Sequence, residues 1–446
     1  FLRSSGFLGY PWALAAHSQY AVLPVIQVAS TTGVWGVSFL VLFVNSAIAE
    51  FLSAIISRRG VRRAFGWLTA AASVVGVVVL VSGIVLVTDT DTEREERVVR
   101  VAQIQQNSDP RKHEYEDTLE TLKRLTDATM SSDPDLVVWS ETAFVPNIRR
   151  WSVDTSSRRY HNLVIDFLEY QAGLETWLVT GNDDYELLRD EDGNVIGRYE
   201  FNAAVLFSDT GERVETYRKI QLVPFTEHFP YKKQFPWIHE LLLNFDVNFW
   251  EPGEVATVFE HPLLKFSTPI CYEDVFPNFM RGFVRNGTEA ILNISNDFWS
   301  LTEVQAKQHF VAGLFRSVEN RRPILRTTAS GLTGQIDPYG RILQTAPYYE
   351  EAYLVSDLHI ALEQPTTLYT RYGDWFPVAA AGLLVVIWAS SLIAGAVQRP
   401  RPSAFSGSTA TRPAPLRTRS APPRADSASP RSGRAQRSKG RDSRKK

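Results

Sequence analysis

The chain has 446 residues, a formal net charge of −2 and one cysteine, Cys271. A single cysteine excludes an intramolecular disulfide and a Cys-x-x-Cys zinc site, and the eight histidines include no His-Glu-x-x-His motif. No glycine-rich phosphate loop follows a strand either, so we predict neither a metal nor a cofactor.

Three apolar segments predict membrane-spanning helices. Residues 67–87 and 375–397 carry no charged side chain and have about the ~20 residues that a span requires. Residues 34–56 are mostly apolar, and Asn45 and Glu50 are the main exceptions. We therefore place spans at about 34–56, 67–87 and 374–398, with residues 1–88 forming a membrane region. The chain begins with Phe1 rather than Met, which indicates an N-terminally truncated sequence.

Basic residues predict the orientation of these spans. The turn 57–63 has four arginines, and the tail 399–446 has 14 Lys and Arg against two Asp. By the positive-inside rule both segments are cytoplasmic, so residues 89–373 form a domain on the outer, periplasmic side.

The tail 399–446 is rich in Pro, Ser, Arg and Ala, and such a composition predicts disorder. A basic tail suits nucleic acid or anionic cytoplasmic lipid. We favour lipid because the chain is fixed in a membrane and the tail has no recognisable nucleic-acid fold, and a purely topological role is equally economical.

The outer domain alternates strand-like and helix-like segments, which predicts a layered α/β domain. The predicted strands are 97–107, 135–141, 176–182, 202–208, 213–220, 265–273 and 289–297. The predicted helices are 109–130 and 301–321. For the second helix we predict Ser300 as the N-cap and an apolar stripe of Val304, Phe310, Leu314 and Val318. The polar segment 183–200 reads as a solvated hairpin connection without a chemical role.

Three polar residues stand at the ends of apolar runs: Glu141, Lys219 and Cys271, separated by 78 and 52 residues. A thiol with an ordinary pKa of ~8.5 needs a base or a positive field to become a good nucleophile. A helix N-terminus after the cysteine lowers the pKa of the thiol, a carboxylate accepts its proton, and a lysine stabilises an oxyanion. Taken singly, a strand-end Glu or Lys is more often a solvated rim residue and a lone Cys a core residue.

An ordered series of short motifs favours the chemical interpretation. It runs through "GYPWALAAHSQY" (9–20), "WSETA" (139–143), "LVPFTEHFP" (222–230), "ICYE" (270–273), "ISNDFW" (294–299) and "RSVENRRPILRTTASGLTGQIDPYGRI" (316–342). This series resembles the carbon-nitrogen hydrolase (nitrilase) superfamily and, more closely, the bacterial apolipoprotein N-acyltransferase family. The resemblance covers nearly everything but the tail.

The resemblance implies an α/β fold, namely a nitrilase-like αββα sandwich on a transmembrane helix bundle, of which three spans are present here. It implies Glu141 as general base, Lys219 as oxyanion stabiliser and Cys271 as nucleophile. It also implies supporting roles for Glu227, Tyr272 and Glu273.

The reaction implied is acyl transfer from a phospholipid, through a thioester on Cys271, to the N-terminal amine of a diacylglyceryl-cysteine apolipoprotein. The implied donor is the sn-1 chain of phosphatidylethanolamine or phosphatidylglycerol. The implied setting is the bacterial inner membrane, with phospholipid and apolipoproteins as partners, no nucleic acid, and a monomeric enzyme. Two alternatives stay open: a membrane-anchored amidase that passes the acyl group to water, and an inactive scaffold that docks lipoproteins.

Overall fold

The computed structural model describes residue 4 and residues 9–91, 95–229, 231, 234–237 and 249–397. Contacts between residues divide the chain into a unit of Phe1–Trp388 and a second unit of Ala389–Lys446. In the second unit the described residues, 389–397, are helical. The predicted disordered tail 399–446 lies outside the described residues. Everything that follows concerns the first unit unless the last helix is named.

The α-helices with described bounds are α1 (Leu23–Ile26), α2 (Ala29–Thr32), α3 (Val34–Ser57), α4 (Val61–Asp91), α5 (Tyr115–Met130), α6 (Ile148–Trp151), α7 (Arg158–Gly173), α8 (Pro277–Arg285), α9 (Glu303–Asn320), α10 (Leu368–Tyr372) and α11 (Trp375–Val397). Short 3₁₀ turns are found at Ala15–Gln19, Pro110–Lys112, Cys271–Val275 and Phe298–Ser300.

The strands are β1 (Glu96–Gln105), β2 (Leu136–Trp139), β3 (Trp177–Gly181), β4 (Asp184–Arg189), β5 (Val195–Phe201), β6 (Ala203–Phe207), β7 (Arg213–Arg218), β8 (Phe259–His261), β9 (Leu264–Ser267), β10 (Ala290–Ser295), β11 (Ile324–Thr328), β12 (Gly334–Ile336), β13 (Ile342–Thr345) and β14 (Ala352–Ala361).

Among the described residues, three helices are long and apolar enough to cross a membrane: α3, α4 over Val61–Thr88, and α11 over Trp375–Ala394. Their large apolar side chains are mostly exposed, as expected of helices that face lipid rather than a protein core. Helix α4 begins six residues before the predicted 67–87, because the turn after α3 is tight. Arg58 adopts a left-handed conformation with φ of 54° and Gly60 has φ of 67°. The division of the chain into membrane and outer regions stays a prediction.

The described part of residues 89–373, the predicted outer domain, contains two six-stranded sheets. The first has the strand order β14-β1-β2-β3-β6-β7 and the second β13-β12-β11-β10-β9-β8. In the first sheet β1, β2 and β3 pair in parallel, and in the second β9, β10 and β11 do so. The carboxyl ends of parallel strands meet at one edge of a sheet, which is where polar side chains of different strands converge. The segment 183–200 forms the separate hairpin β4-β5.

The strands of the first sheet have one face toward each of two cores. Val99 and Val101 of β1 pack with residues of the second sheet, whereas Ala102 and Ile104 pack with α5 and α7. The buried side chain of Gln103 donates to the carbonyl oxygen of Arg326 in β11 at 2.9 Å, joining the two sheets. Helix α9 packs on the other side of the second sheet, so the layers are those of the predicted αββα sandwich.

Two local predictions were wrong. The strand predicted at 265–273 ends at Ser267, because Pro269 has no N–H for a ladder and Cys271 leaves the extended region with φ of 50°. Helix α9 begins at Glu303 after the N-cap Thr302, not after Ser300, because Leu301 interrupts the chain with φ of 49°. Val304 in the first turn of α9 is 68% exposed and is not part of the apolar stripe.

Candidate active site

The three predicted catalytic residues lie just beyond strands that end near one another. Glu141 follows β2, Lys219 directly follows β7, and Cys271 begins the turn Cys271–Val275 after β9. Their exposed fractions are 4%, 0% and 8% respectively. Residues that are 78 and 52 positions apart in the sequence are therefore buried together, close enough for the charges of Glu141 and Lys219 to act on the thiol.

Glu141, Lys219 and Glu227 form what we call the lysine cluster. The Nζ atom of Lys219 lies 3.3 Å from Oε1 of Glu141 and 2.7 Å from Oε1 of Glu227. Burial alone lowers the pKa of a lysine, but the carboxylates of Glu141 and Glu227 raise the pKa of Lys219 well above its ordinary value. The ammonium group therefore stays charged.

The carboxylate of Glu141 is held at both oxygens. Asn202 donates its Nδ2–H to Oε1 at 2.8 Å, and the backbone N–H of Asn296 donates to Oε2 at 2.9 Å. Gly181 in β3 lies directly against this residue, since a Cβ atom there would come within 2.8 Å of the Glu141 Cα. Only glycine fits this contact, and Glu141 is consequently oriented by three separate segments of chain.

The Cys271 thiol is protonated at rest. Burial raises the pKa of Cys271 well above its ordinary value, the charge of Glu141 raises it further, and Lys219 opposes both. The expectation that a following helix N-terminus lowers this pKa is wrong, because the residues after Cys271 form only the short 3₁₀ turn Cys271–Val275. The thiol consequently needs a proton acceptor before it reacts.

Glu273 ties the turn that carries Cys271 to the end of β7. Its carboxylate accepts the Tyr217 hydroxyl at 2.7 and 2.8 Å, and the backbone N–H groups of Ile270, Ile220 and Gln221 at 2.7, 2.8 and 2.9 Å. Burial raises the pKa of Glu273 to about 7, although the backbone donors stabilise its charged form. Glu273 thus fixes the spacing between Cys271 and the strand that leads into Lys219.

Glu227 and Tyr272 reach the site from two other directions. Oε2 of Glu227 accepts the backbone N–H of Val223 at 2.9 Å, which anchors its loop while Oε1 binds Lys219. The Tyr272 hydroxyl donates to the carbonyl oxygen of Gly9 at 3.3 Å, and its ring stacks on Tyr10 with centroids 6.0 Å apart. The segment that precedes the first predicted span therefore packs directly on the Cys271 turn.

A second buried group, which the sequence did not predict, also lies close to the thiol. It consists of Asp274, Asp297, His309 and Arg326, and we call it the arginine cluster. His309 Nδ1 lies 2.9 Å from Oδ1 of Asp297, and its Nε2 lies 3.1 Å from Oδ1 of Asp274. Arg326 bonds Oδ2 of Asp274 and, at 3.2 Å, Oδ2 of Asp297.

Within the described residues, the donor atoms of Cys271, Asp297 and His309 lie within 4.8 Å of one another, as in a metal site. The ligand atoms of Asp297 and His309 already have partners, however. Both nitrogens of His309 and both carboxylates of the cluster are engaged, and the guanidinium of Arg326 supplies the positive charge. These side chains are therefore arranged around the guanidinium of Arg326 rather than around a metal ion.

Other residues that hold the site were also missed by sequence reasoning. Asn202, Asn296, Asp297, His309 and Arg326 are ordinary polar residues in a linear reading. The available signal was their position, since Asn202 directly precedes β6, Asn296 and Asp297 follow β10, and His309 sits beside Phe310 on the apolar side of α9. Buried polar groups at strand ends are where sites are built.

Comparison with known proteins identifies both parts of the chain. Residues 99–367 match the carbon-nitrogen hydrolase family. Residues 1–47 match the apolipoprotein N-acyltransferase N-terminal domain. The sandwich and the segment before it therefore match two family descriptions that belong together.

Individual relatives agree with these matches. Apolipoprotein N-acyltransferase 1 of Treponema denticola is 35% identical over 404 residues, covering 86% of this chain and 74% of that protein. Apolipoprotein N-acyltransferase 1 of Treponema pallidum is 38% identical over 409 residues, with 86% and 74% covered. Apolipoprotein N-acyltransferase of Geobacter metallireducens is 30% identical over 393 residues, with 85% and 70% covered. Among solved structures, an amidase from Nesterenkonia sp. AN1 has a TM-score of 0.43 and 18% identity, covering 58% of this chain and 90% of its own.

Proposed function

The chain belongs to the apolipoprotein N-acyltransferase family of carbon-nitrogen hydrolases, and on that premise we propose which groups it joins and how. It is an acyltransferase of lipoprotein maturation. The acyl chain comes from a membrane phospholipid, is held as a thioester on Cys271, and passes to the N-terminal amine of apolipoproteins whose first cysteine carries a diacylglyceryl group. Glu141 is the general base and Lys219 the oxyanion stabiliser.

In the first half-reaction, Sγ of Cys271 attacks the carbonyl carbon of the phospholipid ester. Glu141 accepts the thiol proton as the S–C bond forms. The bond between the carbonyl carbon and the glycerol oxygen then breaks, and that oxygen takes the proton from Glu141. The products are a thioester on Cys271 and a lysophospholipid. The raised pKa of the buried thiol supports a base-assisted attack rather than a resting thiolate.

Lys219 stabilises the tetrahedral intermediate. Its Nζ is a charged donor in a buried site, where a hydrogen bond to a developing oxyanion is stronger than in water. Glu227 keeps Nζ in place through the 2.7 Å contact. Because Lys219 stays protonated, its role is to stabilise charge and not to move a proton.

In the second half-reaction, the amine nitrogen of the apolipoprotein attacks the thioester carbonyl. Glu141 accepts a proton from the amine, the C–S bond breaks, and the Cys271 thiolate leaves and recovers its proton. The product is an amide, and the enzyme returns to its starting state. Water must be kept out while the thioester waits, and the burial of all three residues supports this requirement.

The setting we propose is the bacterial inner membrane, with the sandwich on the periplasmic side and the enzyme working as a monomer. Helices α3, α4 and α11 support a membrane position. The arginines of the turn between α3 and α4 support a cytoplasmic location for that turn. A site beside the bilayer receives its phospholipid directly.

The observation that carries the proposal is the lysine cluster beside a buried thiol. A charged lysine held by two carboxylates, one of which is oriented by Asn202 and Asn296, supplies the base and the oxyanion donor that thioester chemistry requires. The match of residues 1–47 to the family's N-terminal domain supports transfer over hydrolysis.

The test is a reconstituted assay. The full chain is placed in vesicles of a phospholipid with a labelled acyl chain, together with a peptide that begins with diacylglyceryl-cysteine. We expect labelled N-acylated peptide and lysophospholipid in equal amounts, and a hydroxylamine-sensitive label on Cys271 when the peptide is left out. Labelled free acid without N-acylated peptide contradicts transfer and indicates an amidase-like hydrolase. Absence of any label transfer, with binding of the peptide, indicates a docking scaffold.

A further inference from the structure

The turn that carries Cys271 is held in an uncommon conformation. Cys271 has φ of 50°, in the left-handed region that residues with a Cβ rarely adopt. Such a conformation persists only where surrounding contacts enforce it. Glu273 holds one side of the turn, as described above, and the next residue, Asp274, holds the other.

Asp274 connects the turn to helix α9 and strand β11. Its Oδ1 faces Nε2 of His309 at 3.1 Å, and its Oδ2 accepts a bond from Nη1 of Arg326. Helix α9 makes room for this carboxylate with a glycine, because a Cβ atom on Gly313 would lie 2.8 Å from Oδ2 of Asp274. The surface of helix α9 at Gly313 therefore accommodates the carboxylate of Asp274.

The carboxylate of Asp297 also lies directly against a glycine. A Cβ atom on Gly331 would lie 2.3 Å from Oδ2 of Asp297, so this position also requires glycine. The carboxylate bonds His309 and Arg326, and burial and Arg326 act in opposite directions on its pKa, which is lowered to about 2. Asp297 is therefore a fixed negative charge close to the thiol.

Arg326 reaches the Cys271 turn at two points. Through Nη1 it bonds Asp274 and, at 2.8 Å, Oδ1 of Asn293. The Nδ2 atom of the same Asn293 donates to the carbonyl oxygen of Cys271 at 3.3 Å. Nη2 bonds Ser295 at 3.0 Å. The planar fork of a guanidinium matches this set of acceptors, and a lysine ammonium does not.

His309 has no nitrogen left for the thiol. Nε2 faces Asp274, and Nδ1 faces both Oδ1 of Asp297 at 2.9 Å and Nη2 of Arg326 at 2.7 Å. With the proton on Nε2, that nitrogen donates to Asp274 and Nδ1 accepts from Nη2 of Arg326; with a proton on both nitrogens, the ring donates to both carboxylates. A Cys-His-Asp arrangement of this kind suggests a proton relay of the cysteine-protease type, but the contacts here leave His309 bridging two carboxylates.

The charges around the thiol give Arg326 a second effect. Burial raises the pKa of Cys271, Glu141, Asp297 and Glu227 raise it further, and Lys219 lowers it. The remaining charged groups of the turn and its neighbours, Glu273, Asp274 and His309, are bonded to other partners. Arg326 is fully buried, and its charge interacts with Cys271 as well as with both aspartates. It offsets the negative charge that the aspartates place beside the nucleophile.

We propose that the arginine cluster positions the nucleophile: Arg326, with His309 between Asp274 and Asp297, holds the Cys271 turn and balances the charge beside the thiol. His309 is a positioning residue and not the base. The proposal rests on Cys271 being the nucleophile of the proposed function, and it adds the machinery that makes this cysteine usable.

The first experiment measures the thiol directly. Cys271 is the only cysteine, so alkylation of the full chain by iodoacetamide reports this one thiol without any acyl-transfer step. In Arg326→Lys the two-pronged hydrogen bonding of the guanidinium is lost. The negative charge of Asp297 is then less well neutralised, and the Cys271 turn loses contacts that fix its conformation. We expect the midpoint of the alkylation rate against pH to rise by about one unit. We also expect kcat to fall roughly tenfold with KM changed by less than about threefold.

Arg316→Lys is the matched control. Arg316 is an equally buried arginine on α9, paired with Glu319 at 3.2 Å, and Glu319 bonds Val34 at the start of α3 instead of the Cys271 turn. We expect this variant to keep the alkylation profile and kcat of the wild type within about twofold. Equal shifts in the two variants, or none in Arg326→Lys, overturn the proposal.

The second experiment separates positioning from proton transfer by His309. In His309→Gln we expect kcat to fall roughly tenfold while the pH-rate profile keeps its acidic limb, because the base is still present. Loss of that limb, with a fall as large as that of Glu141→Gln, identifies His309 as the base and overturns its positioning role. Should Arg326→Lys lack a cooperative thermal transition, Asn293→Ala keeps Arg326 and removes the side chain that links Nη1 of Arg326 to the carbonyl oxygens of Cys271 and Pro269. We expect it to slow alkylation by about threefold, and an unchanged rate contradicts the proposal.

These outcomes are distinguishable from failure of the proposed function. Persistent acyl transfer in Cys271→Ala refutes the function, whereas the alkylation profiles of the arginine variants concern the thiol alone.

Discussion

The two buried clusters near Cys271 contain similar residues and are built differently. The lysine cluster has two carboxylates and one ammonium, a point charge on a flexible stem. The arginine cluster has two carboxylates, a guanidinium and an imidazole that bridges them. In the first cluster one ammonium contacts both carboxylates, and in the second the guanidinium and the imidazole each contact both aspartates.

This difference agrees with two different roles proposed for the polar groups around one cysteine. In the proposed reaction the catalytic groups change their partners, and Nζ of Lys219 is held by only two acceptors. A positioning group must keep its partners. The arginine cluster has a planar guanidinium, and its two aspartates lie directly against Gly313 and Gly331. Substitutions in the first should change chemistry, and substitutions in the second should change geometry.

The largest effect is expected at the residue that lies near both clusters. Cys271→Ala removes the nucleophile, and we expect N-acylation of the peptide to fall by about 10⁴-fold or more. The measurement is labelled N-acyl peptide from the vesicle assay, with phospholipid binding as the control for folding. Retention of more than about a tenth of the wild-type rate would show that neither cluster serves this thiol.

Glu141→Gln tests the proton acceptor of the lysine cluster. The amide keeps the size of the side chain and cannot accept the proton, so we expect kcat to fall by roughly 10²–10⁴-fold. Single-turnover formation of the hydroxylamine-sensitive thioester gives the rate of the first step. Thioester formation at the wild-type rate in this variant would contradict Glu141 as the proton acceptor.

Lys219→Met tests the ammonium group. We expect a loss of about 10²–10³-fold in kcat, because the oxyanion loses its charged donor. Two buried carboxylates also lose their counter-charge, so the free energy of unfolding should fall by about 3–5 kcal/mol. Lys219→Arg keeps the charge, and we expect it to restore stability more than activity. If Lys219→Arg restores activity as fully as it restores stability, the result contradicts a catalytic role of Lys219 beyond ion pairing.

Glu227→Gln should have a smaller effect. The substitution weakens a charge-assisted bond to Lys219 and leaves a neutral one, which corresponds to roughly 10-fold in kcat. Steady-state kinetics with peptide concentration as the variable separates kcat from KM. A fall as large as that of Glu141→Gln would mean that Glu227 itself handles the proton.

The smallest effect on activity is expected at Glu319, a buried acid outside both clusters. Burial raises the pKa of Glu319 to about 7, from 4.5. The folded state therefore binds this proton more tightly than the unfolded state. The contribution of Glu319 to stability is full below pH 4.5 and is lost as the pH rises toward 7.

Glu319→Gln should remove this pH dependence. Between pH 5 and pH 7 we expect the free energy of unfolding to fall less in the variant than in the wild type, by on the order of 1–3 kcal/mol. Thermal unfolding of both proteins at each pH measures this difference. Acyl transfer should stay within about twofold. Parallel curves for the two proteins would indicate that Glu319 is ionised throughout this range.

Much of the sandwich could be predicted from local pattern. The apolar runs at 97–107 and 289–297 correspond to β1 and β10, and the periodicity of 109–130 corresponds to α5. The edge strands β8, β13 and β14 were missed because they are short, or alternate with exposed polar residues, and gain their partners only in the sheet. The run 265–273 looked continuous because Pro269 and the φ of Cys271 break it without changing its apolar character.

For the site, the sequence predicted the members of the lysine cluster and none of the arginine cluster. Glu141, Lys219 and Cys271 stood out through motifs that resemble a known family. Asp297 follows β10, His309 lies on α9 and Arg326 lies in the middle of β11, and nothing in their local sequence distinguishes a buried ion pair from an exposed polar residue.

Composition and ordered motifs were sufficient to predict the family and the three apolar helices, and they single out Cys271 as the proposed nucleophile. Only the tertiary structure decided which charges meet. The pKa of the thiol, the contacts of Asp274 and Asp297 with glycines, and the fork of Arg326 depend on burial and on distances between segments far apart in the chain. Those quantities exist only once the two sheets have packed.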